Sequence, residues 1–378
     1  MIFSSEKNNA EKSALIKRVV ISVTTDLSSD QRVQKVCKSL HENGFEVYLI
    51  GRFLPDSIPL DFPFKYHRFR LLFNKGFLFY ANFNIRLFFK LCWFKKNILL
   101  SNDLDTLLPN YLIGKIFKKK VVYDSHELFL ELPELINRPL VKNCWRLIEK
   151  NIIPKLTHCY TVCDAISKHY RNLYGTEFGV IKNLPNKRET QNGVCEKSEL
   201  KKTGNYLILY QGSLNIYRGL ELMIEAMQFL DNAIFQIVGS GIMRNQLFQK
   251  MQKLNLHDKI KFIPRVPPNE LQKLTVQADL GVSVEEDKGL NYRYALPNKL
   301  FDYLQAGIPI LVSNLPEMRK IVDQYKVGEV IIERNPKKLA AQIAQLLEKK
   351  DSYKEAIKKA KNELVWENQE EKLLAFFR

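Results

Sequence analysis

Short apolar runs rich in branched and aromatic residues alternate with amphipathic stretches along the whole 378-residue chain. In the first half "RVVISVT" (18–24), "FEVYLI" (45–50), "NILLS" (97–101), "KVVYD" (120–124), "HCYTV" (158–162) and "FGVI" (178–181) read as buried strands. Among the stretches between them, "DQRVQKVCKSLHENG" places Val33, Val36, Cys37 and Leu40 on one helical face and closes on Gly44. The second half repeats the alternation with "YLILYQG", "AIFQIVGSG", "KIKFIP", "DLGVSV", "IPILVS" and "VGEVII". Strands of this composition, separated by helices, predict parallel sheets covered on both faces. Such sheets bind ligands beyond the carboxyl ends of their strands.

Between the halves, "NKRETQNGVCEKSELKKTGN" (186–205) is polar, charged and without period. The chain is also too long for one ordinary core. The reading is therefore α/β, with two Rossmann-like doubly wound domains facing across a cleft: 1–185, a linker at 186–204, and 205–350. Residues 351–378 are strongly helical and either cap the second domain or cross back to the first.

The net charge of +17 favours acidic partners: nucleic acid, anionic lipid or phosphorylated small molecules. No nucleic-acid-binding fold motif accompanies it, so nucleic acid is not expected. The six cysteines form no C-x-x-C pair and read as reduced, packed thiols. The first fifteen residues are polar and show no apolar leader, so a cytoplasmic setting is expected.

Candidate chemistry gathers in the second half. Gly212 permits close backbone approach after the strand "YLILYQ", and Arg218-Gly219 opens an amphipathic helix, where an arginine can clamp a phosphate. A loop arginine in solvent is the plainer alternative. Gly239 and Gly241 make a tight turn into the next helix, and Arg265-Val266-Pro267 forms a rigid turn suited to a wall against a flat base. In "YALPNKLFDYLQAGIPILVS", Pro297 suits the first helical position, and Asn298, Lys299, Leu300 and Asp302 follow. Lys299 and Asp302 share a face, either as a surface ion pair or as an anion-and-hydroxyl site at a helix start.

Taken in order, Gly212…Arg218-Gly219, Val238-Gly239-Ser240-Gly241, Arg265-Val266-Pro267 and Pro297-Asn298-Lys299…Asp302 resemble the C-terminal domain of the family-four retaining glycosyltransferases of the GT-B fold. In the first half, Asp30-Gln31-Arg32-Val33 and Tyr123-Asp124-Ser125-His126-Glu127 resemble that family's opening helix and its Tyr-Asp-x-His-Glu segment. The resemblance runs from about 17 to 335.

It implies a metal-independent glycosyltransferase of the hexosyl-transferring type, with no essential cofactor and a UDP- or GDP-sugar as donor. The acceptor would be a glycan or lipid-linked, in bacterial surface-polysaccharide assembly. Arg218 and Lys299 would neutralise the donor diphosphate, helped by backbone amides at Leu300 and near Gly212. Asp302 stands where the family has the second Glu of its Glu-x7-Glu pair, on the ribose hydroxyls. His126 would lie next to the donor sugar or acceptor hydroxyl; a strand-end histidine bonded to backbone is the other reading.

Two departures stand out. Tyr294 replaces the family's first Glu, so Glu285 or Glu286 would have to reach the cleft unless "EEDKGLNYRY" is an exposed acidic loop. Gly212-Ser213-Leu214 lacks the family's arginine, which leaves Arg218 more of the phosphate charge. At the start of the first helix, Ser28 with Gln31 fits a capping box.

From Phe62 to Ser101 the chain has no acidic residue but many lysines, arginines and aromatics. Arg86 and Lys90 interrupt it too often for a membrane span. It reads either as an interfacial segment meeting an anionic membrane, which would make the protein peripheral on the inner face of the cell membrane, or as a core helix with a basic outer side. Two other functions remain open: a GT-B-fold sugar-nucleotide epimerase, and a non-catalytic scaffold docked at the membrane.

Overall fold

The computed structural model describes residues 17–28, 30–55, 57–135, 138–187 and 205–378. Most of the expected linker, 188–204, and Cys195 lie outside these residues. The chain divides into two compact units, one of 1–181 with 370–378, the other of 182–369.

The first unit contains β1 (Arg18–Asp26), α1 (Gln31–Glu42), β2 (Glu46–Phe53), β3 (Lys65–Arg70), α2 (Gly76–Trp93), β4 (Ile98–Asn102) and α3 (Leu107–Ile116). It continues through β5 (Lys120–Ser125), α4 (Pro139–Ile152), β6 (Cys159–Thr161), α5 (Asp164–Tyr174) and β7 (Gly179–Val180). All pairs are parallel, in the order β3-β2-β1-β4-β5-β6-β7. The strand order reverses between β1 and β4, which makes that edge the switch point. Strand β3, "KYHRFR", is the one the apolar pattern does not announce: it is a charged edge strand with only Phe69 buried.

Helix α1 is capped by Asp30, whose carboxylate accepts from the Val33 amide at 3.1 Å. The capping box expected from Ser28 does not form, because the Ser28 amide and hydroxyl both donate to Asp26.

The second unit holds β8 (Tyr206–Gln211), α6 (Leu220–Ala226), β9 (Ala233–Val238), α7 (Arg244–Lys253), β10 (Ile260–Ile263), α8 (Pro268–Thr275) and β11 (Leu280–Ser283). Then follow α9 (Leu290–Arg293), α10 (Asn298–Ala306), β12 (Ile310–Val312), α11 (Pro316–Tyr325), β13 (Gly328–Val330), α12 (Pro336–Glu348) and α13 (Lys354–Glu363), and α14 (Glu367–Leu374) begins in this unit and ends in the first. The parallel order β10-β9-β8-β11-β12-β13 reverses between β8 and β11. Alternate residues of β8 serve opposite faces. Ile208 and Tyr210 enter one apolar cluster with α6, α7 and α12, while Leu207 and Leu209 enter another with α10, α11 and α13. Both faces are thus covered, as branched parallel strands require.

The final residues return to the first unit. Phe376 lies against Tyr160 with ring centroids 5.1 Å apart, and Phe377 against Phe45 at 6.3 Å. Among the described residues, no helix is long and apolar enough to cross a membrane.

Candidate functional site

At the switch point of the second unit, three strand ends are pressed together. The Gly212 amide donates to Val238 O at 3.0 Å and the Gly239 amide to Ile263 O at 3.0 Å. A Cβ on Gly239 (φ +151°) would lie 1.9 Å from the Gly212 carbonyl oxygen, so only glycine permits this approach. Two left-handed residues, Tyr217 (φ 63°) and Gly219 (φ 70°), then flank Arg218.

Arg218 and Lys299 converge on one carboxylate. Lys299 Nζ lies 2.7 Å from Glu285 Oε1 and Arg218 Nη1 3.5 Å from the same oxygen. The Ser283 hydroxyl donates to Glu285 Oε2 at 2.7 Å. Glu285 is fully buried and Lys299 is 8% exposed. Burial alone would raise the Glu285 carboxyl, but Lys299 and Arg218 outweigh it and hold the group below its ordinary value. Lys299 Nζ also sits 4.1 Å over the Tyr210 ring, and the Arg218 guanidinium 5.5 Å over Tyr292. The Arg218 Nε is buried without a hydrogen-bond partner among the described residues.

This arrangement corrects several expectations. Lys299 is not half of a surface ion pair with Asp302; its partner is Glu285. Asp302 accepts instead from Gln211 Nε2 at 3.0 Å. Glu285 does not belong to an exposed acidic loop. Pro297 is the residue before α10 rather than its first, with φ −66° and ψ 137°. Two amides expected to serve a ligand are engaged within the fold, Leu300 N with Pro297 O at 3.1 Å and Gly212 N with Val238 O. Leu300 is fully buried, and Val266 packs against its apolar cluster. Arg265 and Asn298 are exposed.

Arg334, which the motifs did not single out, completes the group. Its guanidinium donates to Val284 O at 3.0 Å, Glu285 O at 3.2 Å and the Ser313 hydroxyl at 3.1 Å, pinning the turn that presents Glu285.

The switch point of the first unit carries a second ionic group. Arg32, 3% exposed, makes a bidentate pair with the fully buried Asp124, both bonds 2.9 Å. His126 stands between two carboxylates: Nε2 is 3.0 Å from Asp124 Oδ2 and Nδ1 3.3 Å from Asp103 Oδ2. The His126 amide donates to Asp103 Oδ1 at 2.8 Å. Burial would lower the imidazole, but Asp103 and Asp124 prevail and raise it to about 10. Asp124 falls to about 2, against the pull of burial, because Arg32 and His126 face it. A carboxylate therefore faces each ring nitrogen of His126, which favours the charged form of the ring. Asp103, with φ 57° and ψ 173°, has an unusual backbone for a non-glycine residue. Neither Asp103 nor Arg334 was singled out as a site residue in the sequence, because each acts through contacts made only on folding.

Among the described residues, no group of three or more His, Cys, Asp or Glu is placed to hold a metal ion. Cys37, Cys92, Cys144, Cys159 and Cys163 are free thiols.

Each unit is a parallel, doubly wound sheet, the architecture of the GT-B fold. Solved structures share the fold over nearly their whole length. Sucrose-phosphate synthase from Thermosynechococcus elongatus aligns with TM-score 0.75 at 14% identity, covering 96% of this chain and 98% of that one. Anabaena HepE in complex with UDP-glucose gives 0.73 at 12%, covering 95% and 99%. WaaG, a glycosyltransferase involved in lipopolysaccharide biosynthesis, gives 0.66 at 15%, covering 95% and 99%.

Residues 195–363 match the family model for glycosyl transferases group 1. An uncharacterized glycosyltransferase of Methanocaldococcus jannaschii is 30% identical over 146 residues, 37% of this chain and 35% of that protein. Spore coat protein SA of Bacillus subtilis is 24% identical over 197 residues, 48% and 51% of the two chains. These matches span about a third to a half of the relatives' lengths.

Proposed function

We propose that this protein is a retaining glycosyltransferase. It moves a sugar from a nucleotide-diphosphate donor, a UDP- or GDP-sugar, to a glycan or lipid-linked acceptor in bacterial surface-polysaccharide assembly. The observation that carries this reading is the convergence of Arg218 and Lys299 on Glu285 at the switch point of the second unit. Glu285 holds the two cations side by side before any ligand arrives. Lys299 and Arg218 have more donors than one carboxylate uses, so the pair suits an incoming diphosphate. Fixed positive charge aimed at the departing diphosphate would be the main catalytic contribution, with no metal required. Asp302 would take the ribose hydroxyls, and Arg265, Val266 and Asn298 would border the base. His126, held between Asp103 and Asp124, would contribute positive charge beside the sugar rather than remove a proton.

HepE with UDP-glucose supports a UDP-sugar donor, and WaaG supports a role in surface glycans. The basic aromatic stretch 62–101 would bring the enzyme to an anionic membrane on the cytoplasmic side. The testing experiment is thermal stabilisation against UDP, GDP, ADP, CMP and dTDP, followed by transfer from the sugar donor of the nucleotide that binds. A ligand at about 100 times its dissociation constant adds about 2.7 kcal/mol. Stabilisation by one nucleotide, transfer that survives EDTA, and an unchanged anomeric configuration in the product support the proposal. No stabilisation by any nucleotide would leave a non-catalytic scaffold as the better reading, and donor turnover without an acceptor would point to an epimerase.

A further inference from the structure

Helix α2 is apolar on two opposite faces. Phe79, Phe83, Leu87 and Leu91 are buried in the first unit's core. Leu78, Ile85, Phe89 and Trp93 form the other stripe and are 53%, 58%, 59% and 89% exposed. A core helix with a basic outer side would show charges, not this stripe, facing water.

The tertiary structure extends that face. Helices α2, α3 and α4 connect β3 to β4, β4 to β5 and β5 to β6, successive steps in one direction across a parallel sheet. Right-handed crossovers place all three on one side. Helix α3 packs against both of the others. Its outer residues Leu112 and Ile116 are 38% and 61% exposed, and Leu140 and Leu147 of α4 are 81% and 63% exposed. Large apolar side chains displayed in such density are uncommon on a protein that meets only water.

Charge selects the partner. The three helices carry Arg86, Lys90, Lys115, Lys142, Arg146 and Lys150. Their one acidic residue, Glu149, is buried and accepts from the Tyr174 hydroxyl at 2.7 Å. A second copy of the chain would bring the same positive charges against this face. Nucleic acid would leave the aliphatic stripe uncovered. An open groove of about 640 Å³ beside α2 combines both requirements, with Ile85, Phe89 and Trp93 on its wall and Arg86 and Lys90 at its side.

We infer that α2, α3 and α4 together form a docking face for an anionic phospholipid bilayer, with the apolar residues entering the acyl boundary and the basic residues meeting headgroup phosphates. This rests on the reading that 62–101 meets a membrane, and it adds two helices that lie outside that stretch. Interfacial binding of this kind sums buried apolar area and attraction to anionic lipid.

Trp93 supplies the probe, since Trp145 and Trp366 are buried. The full chain is mixed with vesicles of phosphatidylcholine alone or with about one-third phosphatidylglycerol, and both sedimentation and tryptophan emission are read. Binding to the anionic vesicles, with a blue shift that weakens as salt rises, is the expected result. A Lys115→Ala/Lys150→Ala variant on α3 and α4 should lower the partition coefficient about twenty-fivefold, from about fivefold per basic residue. Leu112→Ser/Ile116→Ser should lower it as well, while Trp93→Ser should remove the blue shift.

Full binding by the α3 and α4 variants, with loss in Phe89→Ser/Trp93→Ser, would overturn the three-helix face and leave α2 alone at the membrane. No binding by the wild type would overturn both the inference and the reading of 62–101. Nucleotide stabilisation, measured on the same variants, reports whether they are folded and tests the donor site separately.

Discussion

Lys299 Nζ and Glu285 Oε1 are 2.7 Å apart, with the lysine 8% exposed and the glutamate fully buried. Removing Glu285 strands Lys299, which costs about 3–5 kcal/mol in a buried pair, while removing Lys299 leaves Glu285 only the longer contact with Arg218 and the Ser283 hydroxyl and costs less. Lys299→Ala is therefore expected to lower stability as well as nucleotide binding. The double variant Lys299→Met/Glu285→Gln removes both charges and should regain much of the stability while still failing to bind nucleotide. Thermal melts of the two variants with and without the stabilising nucleotide check this. Recovery of binding in the double variant would rule Lys299 out of the diphosphate site.

Gly239→Ala should be among the most damaging single changes in the second unit. Its new methyl would meet the Gly212 carbonyl oxygen at 1.9 Å, at a φ of +151° that side chains rarely adopt. A loss on the order of 4 kcal/mol is expected, measured by denaturant unfolding. Gly44→Ala has open space around its Cβ and should cost less, through its positive φ alone.

Glu149 gives the first unit a pH signature. Burial raises its carboxyl to about 7, against the opposing hydrogen bond from Tyr174. Between its ordinary value near 4.5 and about 7, the folded chain holds a proton that the unfolded chain has released. Stability from this group therefore falls as pH rises through that window, and the full penalty of about 3 kcal/mol applies above it. Glu149→Gln should raise the melting temperature at pH 8 and change it little at pH 4. Equal effects at both values would show that Glu149 is not held protonated.

His126 also loses stability as pH rises, but over a higher window. Its value of about 10 lies above the ordinary 6.5, so its ionic contribution is complete below pH 6.5 and is lost as pH climbs through about 10. If His126 touches the sugar as an imidazolium, kcat/KM should show no limb from this residue between about pH 6 and 9. His126→Gln should lower activity without introducing a new limb there. A His126-dependent rise in rate near pH 6.5 would mean that the imidazole is free to act as a base.

Asp124→Asn should unfold the first unit more readily than His126→Gln does. It leaves Arg32, 3% exposed, without its bidentate partner, for a loss of about 3–5 kcal/mol. Denaturant midpoints for the two variants provide the comparison.

The division between what the sequence and the tertiary structure decide follows from the range of the interactions. Strands such as "YLILYQ" and "AIFQIV" are legible because a strand buried on both faces must be apolar at every position, a local constraint. The edge strand "KYHRFR" is not legible, because an edge exposed to water is free to carry charge. Gly212, Gly239, Arg218 and Lys299 stand out because glycine and cation placement around strand ends follows backbone geometry over a few residues. Their partnerships do not show in the same way. Glu285 is 14 positions from Lys299, and Asp124 is 92 from Arg32, and only strand order brings each pair together. Local spacing suggested Lys299 with Asp302 and Ser28 with Gln31. Burial selected other partners, because a charge removed from water must be met by whichever opposite charge the fold carries to the same place. The basic aromatic run 62–101 was likewise visible as composition, but its continuation onto α3 and α4 exists only where the right-handed crossovers set three helices side by side.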